Sequence, residues 1–365
     1  MNRPAVHVIG TGLLGTSLGL ALRRAGYEVT LADLSPTARR LAADMGAGTA
    51  AEPEDPGIVV VATPPDVAAP TIVEALRRWP EATVTDVASV KTAILVRVRE
   101  QTTARELDRY IGSHPMAGRE KSGAIAARED LFAARPWVVC SDEDTPSERL
   151  AQVVALAEAT GASVIHLDPD FHDSSVARVS HAPQVLASLM AAQLKDMPID
   201  GVGLAGQGLR DVTRIAASDP GLWTQILTGN AAEVREVLAA IRGDLDTMID
   251  ALELAPGAFA SIASLLAAGN EGRDRIPGKH GAAPAKYAEV TVVVDDTPGT
   301  LGRLFADVGE LGVNIEDIRI DHATGIRLGS VDISVIPAAQ LTLTEGLLER
   351  GWRVPEAAIE QEGRE

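Results

Sequence analysis

A single cysteine, Cys140, occurs in the 365 residues, so the chain has no internal disulfide to rely on. It sits in the apolar run WVVC, where an inert strand thiol is expected rather than a nucleophile. Cysteine and histidine nowhere take zinc-binding spacing, and no metal is expected. Aromatic residues amount to 3%, which leaves Ala, Leu and Val to fill the cores. Positive charge is short: 33 Lys and Arg stand against 51 Asp and Glu, a net of −18. Such a balance argues against nonspecific binding to nucleic acid or to an anionic membrane. A small acidic substrate stays open, since one local Arg or Lys suffices for it. Long hydrophobic runs are lacking too, and no stretch nears the ~18 apolar residues of a membrane span. The opening MNRPAVHVIG carries neither the apolar segment nor the cleavage site of a secretion signal. A cytoplasmic protein without membrane or nucleic-acid partners is the expectation.

What is present is length and pattern. Hydrophobic content is 46% and charged content 23%, ordinary for globular protein. The length exceeds one ordinary core, so two or three domains are expected. Residues 1–168 alternate strand and helix patterns: AVHVIG, LLGTSLGLALRRAG ending at Gly26, EVTLAD, SPTARRLAADMG, GIVVVAT, PDVAAPTIVEALRRW and ATVTDVAS. PWVVCS and ASVIHLD read as later strands of the same region. This alternation implies an α/β domain with a parallel, doubly wound sheet of the Rossmann type.

Over 169–270 the strand signal vanishes and helical periodicity rich in Ala and Leu takes over. A proline inside HDSSVARVSHAPQVLASLMAAQL predicts a kink near Pro183. Asp219 followed by Pro220 reads as a helix N-cap and first helical residue. Helices of this kind enclose a thin core alone, so the all-helical domain is expected to pair with a second copy, giving a homodimer. Residues 271–286 are rich in Gly, Pro and charge, as linkers are. From 287 to 360 the pattern becomes βαββαβ, the ferredoxin-like arrangement, with WRVPEAAI as its last edge element.

VIGTGLLGTS sets Gly10, Gly12 and Gly15 in G-x-G-x-x-G spacing after one strand and before a helix. Alone the pattern says little; in that context it reads as a dinucleotide-binding turn. Gly10 permits the tight turn, Gly12 lets backbone approach a pyrophosphate, and Gly15 lets helix and strand close together. Leu13 and Leu14 open the helix whose free N–H groups face the anion. An ordinary strand–helix turn is the alternative. Asp33 closes the second strand about 20 residues on, where a carboxylate holds the ribose hydroxyls of NAD and repels the 2′-phosphate of NADP. Arg39 and Arg40 lie further into the next helix and read as a solvated face, so NAD is the expected cofactor. Thr63 and Pro64 follow the third strand, and Ser89 and Lys91 follow another. Residues just past strand C-termini line the ligand crevice in such sheets. A strand-ending turn explains the first pair equally, and a helix cap explains Lys91.

GSHPMAGREKSG holds one imidazole, His114, on a short stiff turn after the strand pattern LDRYIGSH. Pro115 fixes the chain beyond it, while Gly112 and Gly118 allow close ligand approach. A neutral imidazole accepts a proton near neutral pH; a satisfied structural histidine is the other reading. This stretch, with TDVASVK upstream and HDSSVARVSHAPQ and GLRDVTRIAASDPGLW downstream, resembles the prephenate/arogenate dehydrogenase family of tyrosine biosynthesis. The resemblance covers essentially the whole chain. RDRIPGKHGAAPAKYAEVTVVVDDTPGTLGRLF resembles the linker and ACT regulatory domain attached to some members.

The resemblance implies NAD-dependent oxidative decarboxylation of prephenate to 4-hydroxyphenylpyruvate, with arogenate as the alternative substrate. It implies that His114 takes the hydroxyl proton, that Ser89 hydrogen-bonds the imidazole and ligand, and that Arg214 grips a substrate carboxylate. The planar guanidinium suits that last task. Asp211 and Arg210 share roughly one helical face with Arg214, so Asp211 either orients it or forms a surface pair. His172 and His181 are implied to line the active site, with His181 ranked higher for substrate contact. Nine residues apart, the two would lie on nearly opposite faces of a straight helix, and spacing alone fits structural histidines. Trp223 is implied beside the pocket, with a core role as the alternative. Glu120 is implied to gate the site by pairing with an arginine. Arg119 and Leu209 depart from the family pattern and leave the substrate side chain open. In the ACT-like part, Pro298, Gly299, Gly312 and Asn314 mark the implied amino-acid-binding edge, with tyrosine as the feedback ligand. A domain that only dimerises is the alternative there. A hydroxyacid dehydrogenase or imine reductase, and a noncatalytic regulator that binds NAD and an amino acid, are the remaining readings of the whole chain.

Overall fold

The computed structural model describes residues 3–118, 123–142, 144–277, 287–322 and 328–355. The chain divides into two compact units, one comprising 1–197 with 209–243 and the other 198–208 with 244–365.

The first unit is built on a parallel sheet ordered β2-β1-β3-β4-β5. Its strands are β1 (Val6–Ile9), β2 (Val29–Ala32), β3 (Ile58–Val61), β4 (Thr83–Asp86) and β5 (Tyr110–Ile111). Between them run α1 (Leu13–Arg24), α2 (Pro36–Asp44), α3 (Pro65–Arg78), α4 (Thr92–Gln101) and α5 (Ala104–Leu107). The residues of β3 and β4 are buried throughout, as central strands covered on both faces must be. Val8, Leu18, Leu31, Trp137 and Leu156 belong to one core cluster, and Val59, Ile72, Leu76, Trp79 and Val98 to another. The buried Arg109 guanidinium closes the end of α3 by donating to the carbonyls of Leu76 (2.6 Å), Trp79 (2.9 Å) and Ala82 (3.2 Å). A cation there also meets the negative end of the helix dipole. Because β2 and β3 lie on opposite sides of β1, the strand order reverses there, and a crevice opens beyond the C-terminal ends of β1 and β3.

Beyond Ile111 the parallel ladder stops. Ser113 Oγ donates to the Asp86 carbonyl (2.7 Å), and the Lys91 ammonium donates to the Ser113 carbonyl (2.7 Å). Side chains thus satisfy groups that a longer β4–β5 ladder would have used. The chain passes through Gly112 into a second sheet of β6 (Ser113–Pro115), β7 (Pro136–Cys140) and β8 (Ser163–Leu167), ordered β6-β7-β8. There β7 runs antiparallel to β6 and parallel to β8. PWVVCS and ASVIHLD are strands as expected, but they do not extend the parallel sheet. The helix α6 (Ser147–Ala159) connects them.

The helices continue with α7 (Pro169–Val176) and α8 (Ala182–Ala192). Just upstream of Pro183, where a kink is expected, the helix widens into the π-turn Ala177–His181. Pro183 has no N–H for the Val179 carbonyl and its ring crowds that turn; the wider turn relieves both. Then come α9 (Ile199–Val202), α10 (Gln207–Thr213), a 3-10 turn Arg214–Ala217, α11 (Pro220–Gly229) and α12 (Ala231–Ala251). Asp219 caps α11 by accepting from the Leu222 N–H (2.8 Å), with Pro220 as first helical residue.

The second unit contains α13 (Ala258–Arg273), which carries helix into the stretch read as linker; residues 278–286 lie outside the described residues. It also contains β9 (Ala288–Asp295), α14 (Thr300–Glu310), β10 (Asp317–His322), β11 (Leu328–Val335) and α15 (Gln340–Glu349). The antiparallel sheet is ordered β10-β11-β9 around a core of Val290, Val292, Leu304, Val308, Ile333 and Leu347. Of the expected edge element WRVPEAAI, the described residues 352–355 form one bridge, between Arg353 and Val293. Pro355 has no N–H to continue a ladder, and residues from 356 lie outside the described residues. Among the described residues, no helix is long and apolar enough to cross a membrane.

Candidate active site

The glycine turn sits at the crevice between β1 and β3. Gly10 has φ +103°, and a Cβ on it would lie 2.5 Å from the Ala62 carbonyl oxygen. A Cβ on Gly15 would lie 1.9 Å from the Gly10 oxygen. The protein's own packing therefore demands both. Gly12 is different: a Cβ there meets nothing within 4 Å, so the space before the first turn of α1, at Leu13 and Leu14, is open. Free N–H groups facing open space suit an anion. Asp33, at the end of β2, accepts from the Thr11 N–H (2.7 Å), the Thr11 hydroxyl (2.9 Å) and the Ser35 N–H (2.8 Å). These bonds fix the carboxylate at the edge of the turn. Arg40 pairs with Asp44 across one helical turn at 3.8 Å, as a solvated face would. Across the crevice, the Thr63 hydroxyl is buried without a hydrogen-bond partner. Such an orphan costs about 1–3 kcal/mol, which a polar ligand atom can recover. Pro64 is exposed at the start of α3. Open space at Gly12, an anchored carboxylate and an orphaned hydroxyl together fit a dinucleotide.

The second cluster surrounds His114, half-buried on β6. Its Nδ1 lies 2.9 Å from His172 Nε2, with the rings edge-on at 5.2 Å. The His172 ring is fully buried, and its Nδ1 lies 2.8 Å from Asp173 Oδ1. The Asp173 carboxylate also accepts the N–H groups of Lys91 (2.9 Å) and Thr92 (2.8 Å), at the start of α4. Burial pushes the Asp173 carboxyl up, but the bonds from His172 and these two N–H groups outweigh it and hold it below the usual range. Burial, then the neighbouring His172, Lys91 and His181, pushes His114 well below 6.5. His114 is consequently uncharged at neutral pH.

Lys91 is neither a crevice ligand nor a simple cap. Its ammonium is buried against the Asp86 carboxylate, which also takes the Tyr110 hydroxyl (2.7 Å) and the Ala88 N–H (2.8 Å). Burial first, and then Asp86, pushes the Tyr110 hydroxyl well above 10. His181 lies 3.2 Å from Asn230 Nδ2, which also donates to the Asp173 carbonyl (2.8 Å). Burial lowers His181 to about 4. The π-turn brings His172 and His181 to this shared neighbourhood. It absorbs one extra residue, so nine positions turn like eight, and ideal geometry then sets the two positions about 80° apart instead of opposite.

Other expected residues are placed as follows. Ser89 is half-buried after β4, but the ring bond of His114 goes to His172 rather than to Ser89. Trp223 on α11 sits edge-on to His181 at 6.1 Å. Arg214 is exposed where α10 gives way to the 3-10 turn. Arg119 and Glu120 lie outside the described residues. In the second unit, Pro298 and Gly299 line a cavity of about 440 Å³ with Thr297, Thr300, Arg303 and Trp352. Gly312 and Asn314 do not line it; Asn314 donates to Glu316 at 2.7 Å. Sequence reasoning missed Thr11, Asp86, Asp173 and Asn230. The first three stand inside or beside motifs already singled out, and Asn230 gave no signal.

Comparison with known proteins bears on this arrangement. Residues 18–166 match the family model for the prephenate dehydrogenase nucleotide-binding domain, and residues 168–265 match that for the prephenate dehydrogenase dimerization domain. The chain belongs to the prephenate dehydrogenase family. Relatives of this dehydrogenase include the probable prephenate dehydrogenase NovF of Streptomyces niveus, 36% identical over 94% of this chain and 98% of that protein. The prephenate dehydrogenase of Bacillus subtilis is 26% identical over 87% of this chain and 88% of its own. Among solved structures, the A. aeolicus prephenate dehydrogenase with hydroxyphenyl propionate and NAD+ superimposes with a TM-score of 0.66 at 26% identity, covering 75% of this dehydrogenase and 98% of that chain. The Synechocystis arogenate dehydrogenase does so with a TM-score of 0.63 at 30% identity, covering 74% and 99%.

Proposed function

We propose that this dehydrogenase converts prephenate to 4-hydroxyphenylpyruvate and carbon dioxide with NAD. The observation that carries the reading is His114, an uncharged ring with Nδ1 engaged by His172 and Nε2 left to act. NAD, when bound, supplies the hydride acceptor. Gly10, Gly12, Leu13, Leu14 and Gly15 present the first turn of α1 to its pyrophosphate, Asp33 takes the ribose hydroxyls, and Thr63 and Pro64 border the crevice. As hydride departs, positive charge builds at the carbinol carbon unless the hydroxyl proton leaves. His114 Nε2 takes that proton, a contribution of about 10²–10⁴-fold. Loss of the ring carboxylate then leaves an aromatic ring. Ser89 assists at the hydroxyl, Arg214 grips a carboxylate, His181 and Trp223 border the substrate, and Glu120 gates the site.

In this reading residues 1–168 bind NAD, 169–270 dimerise and supply substrate contacts, 271–286 link, and 287–360 form an ACT regulatory domain. The order β9-α14-β10-β11-α15 supports the ferredoxin-like plan, as does the bridge of Arg353 to Val293 on the side of β9 away from β11. Tyrosine is the proposed ligand of that domain. Exposed Leu186, Leu189 and Met190 on α8 support pairing into a homodimer, and a cytoplasmic location follows from the biosynthetic role. Arogenate is the second reading, favoured by the Synechocystis neighbour.

Steady-state kinetics with both substrates and both nicotinamide cofactors test this. Prephenate with NAD should give the largest kcat/KM, and His114→Asn should lose most turnover while still binding NAD. A higher kcat/KM for arogenate, or near-normal turnover of His114→Asn, overturns the reading.

A further inference from the structure

We infer that Asp173, acting through His172, decides which ring nitrogen of His114 is the base. The inference rests on the proposed role of His114. Lys91 and Thr92 each donate a backbone N–H to the Asp173 carboxylate, and His172 Nδ1 lies at 2.8 Å from the same group. A carboxylate has only acceptors to offer. When the His172 ring holds a single proton, that proton must therefore sit on Nδ1, and its Nε2 carries a lone pair. That lone pair faces His114 Nδ1 at 2.9 Å, so the proton of His114 sits on Nδ1. Its Nε2 is left with the lone pair that takes the substrate proton. When the substrate O–H bond breaks and Nε2–H forms, the positive charge on His114 is met by the His172 lone pair and, one ring behind, by the carboxylate. No other oxidant or proton donor is needed.

The same anchor sets His181 the opposite way. Asn230 Nδ2 must donate to the Asp173 carbonyl, so it also donates to His181 Nδ1. His181 then carries its proton on Nε2 and acts as a neutral donor. His172 has both nitrogens engaged within the protein and none for substrate. It is a positioning residue, as are Asp173 and Asn230.

Nitrogen-15 NMR of the histidine rings of the full-length protein tests this, with His114→Asn assigning the His114 signals. His114 and His172 should carry Nδ1–H, and His181 Nε2–H. In Asp173→Asn the NH2 group must face one of the three N–H donors; where it faces His172 it donates to that ring, both rings flip, and His114 becomes Nε2–H. Turnover should then fall about 10³-fold, while the NAD dissociation constant stays within about threefold of wild type. Wild-type His114 carrying Nε2–H, or a kcat close to wild type in Asp173→Asn with His114 flipped to Nε2–H, overturns the inference. Should Asp173→Asn not fold, or leave the rings unflipped, His172→Gln and His172→Leu decide. Gln keeps an acceptor for the His114 proton, so its kcat should exceed that of Leu by about 10–100-fold; equal kcat values overturn the inference. The ring spectra need no substrate. A wild type inactive on prephenate but with the stated ring protonation would sink the proposed reaction and leave the hydrogen-bond chain intact.

Discussion

Lys91→Met probes the buried charge pair behind the candidate base. The Lys91 side chain is 1% exposed and that of Asp86 0%. The ammonium also holds the Ser113 carbonyl at 2.7 Å, one residue before His114. Methionine fills much of the lysine stem, so the change is mainly electrostatic. It leaves Asp86 with the Tyr110 hydroxyl and the Ala88 N–H but without its counter-charge. Removing one partner of a buried pair costs about 3–5 kcal/mol. In a cooperative unit of roughly 200 residues, each kcal/mol moves Tm by about 2–4 °C. Thermal unfolding followed by circular dichroism should therefore show a fall of roughly 6–20 °C. A second readout comes from the pH profile, because Lys91 is one of the charges that hold His114 low. Without it the imidazolium is less disfavoured, so the acid limb of turnover should move up towards 6.5. A melting point within about 2 °C of wild type and an unmoved acid limb would refute the reasoning.

Four further outcomes follow from the same structure. Burial holds His7 and His181 at about 4, whereas the unfolded rings titrate near 6.5. Below that pH the unfolded chain takes up protons that the native rings refuse, so stability is full above about 6.5 and falls as pH drops towards 4. Urea unfolding at pH 7 and pH 5 should differ by about 2 kcal/mol for each ring, and equal values would contradict the burial argument. Gly15→Ala forces a Cβ to within 1.9 Å of a backbone oxygen and should abolish soluble, folded protein, as judged by expression and size-exclusion chromatography. Gly12→Ala meets open space and should keep the melting point to within a few degrees, while weakening NAD binding at least tenfold by calorimetry; unaltered affinity would remove Gly12 from the cofactor site. Asp33→Ser should lower the preference for NAD over NADP in steady-state assays, because the repelling carboxylate is gone.

The parts legible in the sequence are those whose cause is local. Strand, glycine turn and helix follow one another within about 20 residues from Val6, and each is set by side-chain period or backbone freedom at its own position. Asp219 announces the start of α11 for the same reason, since its cap bond spans three residues. His114 could be singled out because a proline and small residues flank it. The second sheet could not be foreseen: β6, β7 and β8 have strand-like sequences, but direction depends on which groups remain free after Ser113 and Lys91 have bonded across to Asp86 and to one another. Nor could the partners of His114. His172 is 58 residues away, and the Lys91 N–H that helps fix Asp173 is 82 residues from that carboxylate. Helical spacing even set His172 and His181 on opposite faces, until one wide turn rotated them together. Sequence alone therefore determined the kinds of element and the candidate base, because these depend on neighbours along the chain. Tertiary structure decided which ring nitrogen of His114 is engaged within the protein, because its partner His172 comes from a distant segment.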